Sequence, residues 1–289
     1  MSWLAPHSFC RAPLLALALT LPTLARAEDA ESRSKGTVDT EHIFGFTEGA
    51  DIGEKGEKEL EDTITGRFGK DGHYAGLAHE TAIRYGVVEG FRASIGALSD
   101  YHAVSGVPDL ADRHALNFSG VTSEFRWQLL ERESSPLDLT LSFTPQWQRI
   151  DDLSGQRVQS YAFPFELLAD VALIPNKMFA AFNLTYAPIF TRNGGTWGQQ
   201  NPVEFSFAVS AAIADNVFLG AEVRHLTLND HGFFSGHALF VGPSLFVRLS
   251  DAVAVKVAWD AQIPDETTGR LDLANYERQQ ARLQLAIGF

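Results

Sequence analysis

The sequence predicts an all-β protein: a closed antiparallel transmembrane β-barrel of about twelve strands, wound as an up-and-down meander. Three observations carry this expectation. Apolar and polar side chains alternate at period two over segments of roughly ten residues, as in a strand whose two faces meet different environments. The linkers between those segments run long, then short, as in barrels with external loops at one end and tight turns at the other. No apolar stretch after residue 27 is long enough for a membrane helix, so strands must do any crossing.

Residues 1–27 read as a signal peptide. Arg11 supplies the positive charge, Leu14 to Leu24 form a short Leu/Ala-rich core, and Ala25-Arg26-Ala27 gives the small-x-small cleavage pattern. Cys10 lies in this leader, so the mature chain carries no thiol, and a secreted chain without disulfides must be held by its fold. The net charge of −13 falls to −15 once Arg11 and Arg26 leave. That acidity argues against nucleic acid as a partner. Residues 28–57, rich in Gly and charge, are expected to form a periplasmic N-terminal extension, with a plug entering the lumen as the alternative. Residues 58–289 form the transmembrane barrel.

The predicted strands are 58–69, 73–87, 90–103, 116–130, 136–149, 158–173, 178–191, 202–213, 217–228, 238–249, 253–263 and 279–289. The third and fourth turn Phe91, Ala93, Ile95, Ala97 and Val121, Phe125, Trp127, Leu129 outward. In the fifth, Leu137, Leu139, Leu141, Phe143 and Trp147 alternate with Asp138, Thr140, Ser142, Thr144 and Gln146. The sixth sets Tyr161, Phe163, Phe165, Leu167, Ala169 and Val171 against Ser160, Pro164, Glu166 and Asp170. The seventh sets Phe182, Leu184, Tyr186, Pro188 and Phe190 against Asn183 and Thr185; the eighth carries Val203, Phe205, Phe207, Val209 and Ala211 outward. The eleventh sets Val253, Val255, Val257 and Trp259 against Lys256 and Asp260. The last alternates Ala281, Leu283, Leu285, Ile287 and Phe289 with Arg282 and Gln284, and resembles the signal through which the barrel-assembly machinery recognises its clients. Tyr85, Phe91, Trp127, Trp147, Phe179, Phe190, Trp259 and Phe289 are placed for interfacial girdles. Connections 104–115, 150–157, 192–201, 229–237 and 264–278 read as long external loops, with 70–72 the short exception.

Glu41-His42-Ile43-Phe44-Gly45-Phe46-Thr47-Glu48-Gly49, then Gly53-Glu54-Lys55-Gly56-Glu57, Thr63, Thr65, Tyr74, Glu80 and Tyr85-Gly86-Val87, carry a resemblance over residues 41–96. This stretch resembles a group of uncharacterised proteobacterial outer-membrane β-barrels, themselves similar to transporter-like barrels found with aromatic-degradation pathways. The resemblance implies a porin-like or transporter-like role and no catalytic residues.

If the apolar set faces lipid, the alternate set lines the lumen. It comprises Arg84, Arg92, Glu124, Arg126, Asp138, Glu166, Asp170, Glu222, Arg224, Arg248, Lys256 and Arg282, with Arg67, Glu80, Asp100, Glu204 and Asp260 alongside. A charge on the lipid face near the midplane costs on the order of 2–4 kcal/mol, so the pattern selects the inward assignment. Arg84, Arg92, Arg126, Arg248 and Lys256 are expected near the periplasmic end, on one side of the wall. Asp138, Glu166 and Asp170 are expected nearer the opposite side, the two sets pairing as ladders around a narrow pathway.

Neither a nucleophile elbow nor a phosphate loop is present, and no cofactor or metal site is expected. A lipid-modifying hydrolase would place a His/Ser pair at the outer rim: His102 with Ser105, or His231 or His237 with Ser235. The leading expectation is a passive channel or facilitator for small solutes. The alternatives are that hydrolase and a structural or surface-interaction barrel with a closed lumen. Outer-membrane lipids and lipopolysaccharide are the expected surroundings, beside loop acids such as Asp109, Asp112, Asp265 and Glu266.

Overall fold

The computed structural model describes residues 38–230 and 233–289, so the predicted leader lies outside the described residues. The described chain is all-β apart from turns and loops, and its strands close into one antiparallel ring of twelve staves. Eight staves are single strands: β1 (Lys58–Phe68), β2 (His73–Val88), β3 (Phe91–Ser105), β4 (Arg113–Leu130), β13 (Val217–Asp230), β14 (Phe233–Ser250), β15 (Val253–Ile263) and β16 (Gln279–Gly288). Four staves between β4 and β13 are each broken in two. These are β5 (Asp138–Phe143) with β6 (Gln146–Ile150), and β7 (Arg157–Ala162) with β8 (Phe165–Ile174). The other two are β9 (Met178–Tyr186) with β10 (Ile189–Asn193), and β11 (Thr196–Gln200) with β12 (Val203–Ala214). The ring closes where Glu59–Phe68 of β1 pair with Gln279–Gly288 of β16.

All four breaks fall at proline. Pro145, Pro164, Pro188 and Pro202 have no N–H to give the ladder. The residue before each donates instead to the next stave: Thr144 N to Pro164 O at 2.9 Å, Phe163 N to Pro188 O and Ala187 N to Pro202 O at 3.0 Å, and Asn201 N to Asn229 O at 2.8 Å. One seam therefore crosses four adjacent staves. It divides that side of the wall into a lower panel, β5-β8-β9-β12, and an upper panel, β6-β7-β10-β11. The upper panel meets β13 through a single register pair, Gln200 with Asp230.

The outward face is apolar. Ile83, Ile95, Val121, Leu141, Phe165, Phe182, Phe207, Leu219, Leu245, Val257 and Leu283 are all exposed, one from almost every stave. So continuous an exposed apolar belt marks a lipid-facing surface. Tyr85, Trp127, Phe190, Trp259 and Phe289 are exposed as girdle residues should be, but Phe179 is not. Its ring points inward, 6.2 Å from that of Phe218, because the near end of the barrel holds an apolar cluster of its own.

The loop-length expectation needs correction. At the end where β1 begins (the near end) the connections are 89–90, 131–137, 175–177, 215–216 and 251–252. At the far end only 264–278 is long, and 106–112 is no longer than 131–137. Segments read as external loops are strand instead: β4 and β14 each run 18 residues, beyond the roughly 9–11 that cross a bilayer. Their polar outer turns stay paired because ladder hydrogen bonds do not depend on side-chain polarity. The 264–278 loop is tied down by Lys70, whose Nζ donates to the carbonyls of Leu273, Ala274 and Tyr276.

Candidate functional site

Inside the near half of the barrel lies the segment preceding β1. Residues 40–47 are all buried, although the sequence pattern reads as a solvated tail. Ile43 and Phe44 enter the apolar cluster of Phe179, Ala181, Ala208, Phe218 and Phe246. Phe46 is flanked by two guanidiniums, Arg224 at 4.1 Å and Arg282 at 4.6 Å from its ring centre. The wall also takes up the segment's backbone. Glu222 accepts from Phe46 N (2.8 Å) and Thr47 N (2.7 Å), Asp170 accepts from Ala50 N (2.7 Å), and Ser210 Oγ donates to Ile43 O (2.7 Å). Two glycines make the fit possible. A Cβ on Gly45 would strike Glu222, and one on Gly49 would strike the Thr40 carbonyl.

Charge organises the rest. Glu41 sits among three arginines. Arg92 grips it with Nη1 and Nη2, each at 2.6 Å; Arg84 Nη1 lies at 2.7 Å and Arg126 Nη1 at 3.5 Å. Arg126 also pairs with Glu48, and its Nε donates to Glu124 at 2.7 Å. Arg282 reaches Glu48 at 3.8 Å. Burial alone would push the Glu41 carboxyl up, but Arg92, His42 and Arg84 hold it well below its usual range. Glu48 is likewise lowered against the effect of burial, by Arg126 first and then Lys256 and Arg282. His42 is the counterpart. Burial would lower it, yet Glu59 at 3.2 Å and Glu41 raise it to about 9.

The predicted interior charges thus divide into groups. Arg84, Arg92 and Arg126 come together as expected, but their partners are Glu41, Glu48, Glu61 and Glu124, not the carboxylates of the opposite wall. Asp138 and Asp170 face each other across the β5–β8 ladder, and Arg132, from the 131–137 turn, pairs with both. Glu166 accepts from Thr185 Oγ1 at 3.3 Å. Arg224 pairs with Glu204 (2.8 Å) and Asp260 (3.1 Å), Lys256 is buried beside Glu48, and Arg248 lies apart, next to the 251–252 turn. Sequence reasoning did not anticipate the roles of Glu41, His42, Glu48 and Arg132. The available signal was two glutamates seven apart, bracketing Phe44-Gly45-Phe46.

His42, Glu59 and Glu61 have ligand atoms within 4.8 Å of one another, the geometry of a metal trio. Arg84 already lies 2.7 Å from Glu61 and 3.4 Å from Glu59, so a guanidinium supplies the charge a cation would bring. The rim hydrolase pairs are not assembled. His102 is buried and meets the Asp152 carbonyl at 3.0 Å, while Ser105 is exposed, three residues on and so on the opposite face. Ser235 Oγ donates to the Leu228 carbonyl rather than to a histidine, and His231 lies outside the described residues.

Among the described residues, cavities lie inside the barrel in both halves. One of about 220 Å³ adjoins the charge cluster and is lined by Glu48, Glu80, Arg84, Arg126, Glu166 and Arg282 among others. Another, about 440 Å³, lies in the far half behind the upper panel. It mixes Arg67, Glu204 and Glu277 with Ile150, Ile189 and Leu226.

Residues 36–289 match the model of a family of unknown function, DUF6662. The chain belongs to that family. No curated protein matches it. This DUF6662 member shares its fold with solved outer-membrane barrels at low identity. An outer-membrane channel from Pseudomonas putida F1 aligns at TM-score 0.54 and 9% identity, over 83% of this chain and 98% of its own. The translocator domain of the autotransporter NalP from Neisseria meningitidis aligns at 0.51 and 13%, over 83% and 91%. The NanC porin aligns at 0.50 and 10%, over 79% and 98%. The barrel of this DUF6662 member thus has the fold of these outer-membrane barrels.

Proposed function

We propose that the protein is an outer-membrane channel or facilitator for small solutes, its periplasmic half closed by residues 38–52 acting as a plug. One observation carries this reading. The plug meets the wall through side chains (ion pairs, single hydrogen bonds and one apolar cluster), whereas the staves are held to one another by backbone ladders. An obstruction attached in that way can leave without opening the wall. Open space on both sides of the seam supports the same reading. The near end is then periplasmic and the far end external, with exposed Arg149 and Arg192 near the far end available to lipopolysaccharide. The last strand, ending at Phe289, would present the chain to the assembly machinery.

The far cavity's Ile150, Val158, Ile189 and Leu226 favour a partly apolar solute. The second reading, a structural barrel with a permanently closed lumen, is favoured by how thoroughly the plug is buried. Planar-bilayer recording of the refolded chain separates the two. A channel shows ohmic openings that become larger or more frequent in Phe44→Ser, which loosens the plug from Phe179, Phe218 and Phe246. Silence from both proteins would overturn the channel reading.

A further inference from the structure

The carboxylates bound by the arginine cluster come from two sources. Glu59, Glu61 and Glu124 belong to the wall and are fixed by their strands. Glu41 and Glu48 belong to the plug, whose one backbone-to-backbone hydrogen bond among the described residues 38–52 is internal, from Gly49 N to Glu41 O. Only these two can be exchanged for something else. We propose that Arg84, Arg92 and Arg126 form a binding site for small solutes carrying two or more carboxylates, which Glu41 and Glu48 fill as resident stand-ins. The proposal rests on the channel reading for its route of access and names the charge pattern that the near half would select in a solute.

The geometry is that of carboxylate recognition. Arg92 Nη1 donates to one Glu41 oxygen at 2.6 Å while Nη2 lies 2.6 Å from the other, a guanidinium set against both oxygens of a planar anion. Arg126 spans both guests, one terminal nitrogen toward Glu41 and the other toward Glu48, so a ligand with two carboxylates reproduces what two plug residues now supply. Donors are left over. Arg84 Nε, Arg92 Nε and Nη2, and Arg282 Nε are buried and make no hydrogen bond among the described residues. A solute with more oxygens than the glutamates offer would satisfy donors that the plug leaves bare. There is also room to arrive: the 220 Å³ cavity is bounded by Glu48, Arg84, Arg126 and Arg282. Glu80 and Glu166 line the same cavity without an ion pair to these arginines among the described residues, which disfavours simple anions and leaves the advantage to ligands able to chelate.

Two measurements test this, with citrate as the probe and glucose as the uncharged control. In detergent micelles at neutral pH, the Glu41→Gln/Glu48→Gln double variant should bind citrate about tenfold or more tightly than the wild type, whose site is occupied. Adding Arg92→Gln should abolish the gain. Heat-modifiable mobility on gels establishes that each variant is folded. The second measurement keeps the plug glutamates. In a Cys10→Ala background, Thr47→Cys places a thiol at a buried plug position, and citrate should accelerate its labelling by a maleimide several-fold. Sodium chloride of equal ionic strength and glucose should not. Equal citrate affinity in wild type and folded double variant, or labelling indifferent to citrate, overturns the proposal. If the double variant does not fold, the labelling result decides alone. Conductance without citrate binding sinks this site and leaves the channel; citrate binding without conductance does the reverse.

Discussion

The two halves of the barrel solve the problem of a polar interior differently. In the near half every stave runs unbroken and the inward charges meet a guest segment of the same chain, which supplies glutamates to arginines and backbone N–H groups to carboxylates. In the far half the wall is interrupted along four prolines, one loop is folded in under Lys70, and a 440 Å³ space remains. A filled interior brings partners to buried charges. An unfilled one leaves its charges, here Arg67, Asp151, Asp152, Glu204 and Glu277, around open space. The near half therefore holds the partnered charge and the far half the room.

The largest expected effect breaks the near half. Arg126 is 2% exposed and holds Glu41, Glu48 and Glu124. Arg126→Leu leaves three carboxylates short of a partner and should cost about 3–5 kcal/mol. Protease cleavage within residues 38–57 should become rapid while the wall stays resistant. Ser160→Ala in the far half, which removes one hydroxyl contact with Thr191, should leave cleavage unchanged. If both variants expose the segment equally, the two halves are not distinct.

Next in size is pH. His42 in the docked plug titrates at about 9 against 6.5 when free. Its contribution to docking is complete below pH 6.5 and is lost as pH rises through 9, roughly 3 kcal/mol in all. Glu41 and Glu48 act oppositely. Their docked values lie below the ordinary 4.5, so their contribution is present above that pH and fades on acidification. Plug protection against hydrogen exchange should thus peak between about pH 4.5 and 6.5, and His42→Gln should flatten the alkaline side only. A far-half amide such as Thr191 should show neither arm.

A third variant addresses the wall as a whole. Ile95 is 64% exposed on the outward face, and Ile95→Arg should cost on the order of 2–4 kcal/mol in lipid, with much less effect in detergent. Refolding yield into vesicles against urea measures it. No loss in lipid would mean that the apolar belt is not what meets the acyl chains.

How much of this was legible in the sequence follows from what each part depends on. The staves were legible because period two is local: Val253, Val255, Val257 and Trp259 need only their own strand to declare a face. The seam was visible as four prolines, but its continuity depends on register between staves, which no single segment reveals. The long-loop expectation failed because polar tips such as Thr196–Gln200 look like loop and pair like strand. The plug was least legible. Glu41, His42 and Glu48 are solvated residues by composition and are buried only because distant arginines are already arranged to receive them. Arg132 was hidden for the same reason, a turn residue whose partners, Asp138 and Asp170, are brought to it by the β5–β8 ladder.

The smallest expected effect sharpens the comparison most. Pro188 lies between β9 and β10, and its carbonyl takes the Phe163 amide at 3.0 Å. Pro188→Ala keeps that acceptor, adds one N–H and relaxes one fixed φ, so stability should change by about 1 kcal/mol or less. If the seam uncouples the panels, the exchange rates of Phe163 and Ala187 shift while Leu184 and Val209, in the lower panel, keep their protection. If protection falls in the lower panel as well, the prolines are not a boundary. The near half would then owe part of its order to the kinked wall above it, and the plug's hold would be a property of the whole barrel rather than of the arginines around Glu41.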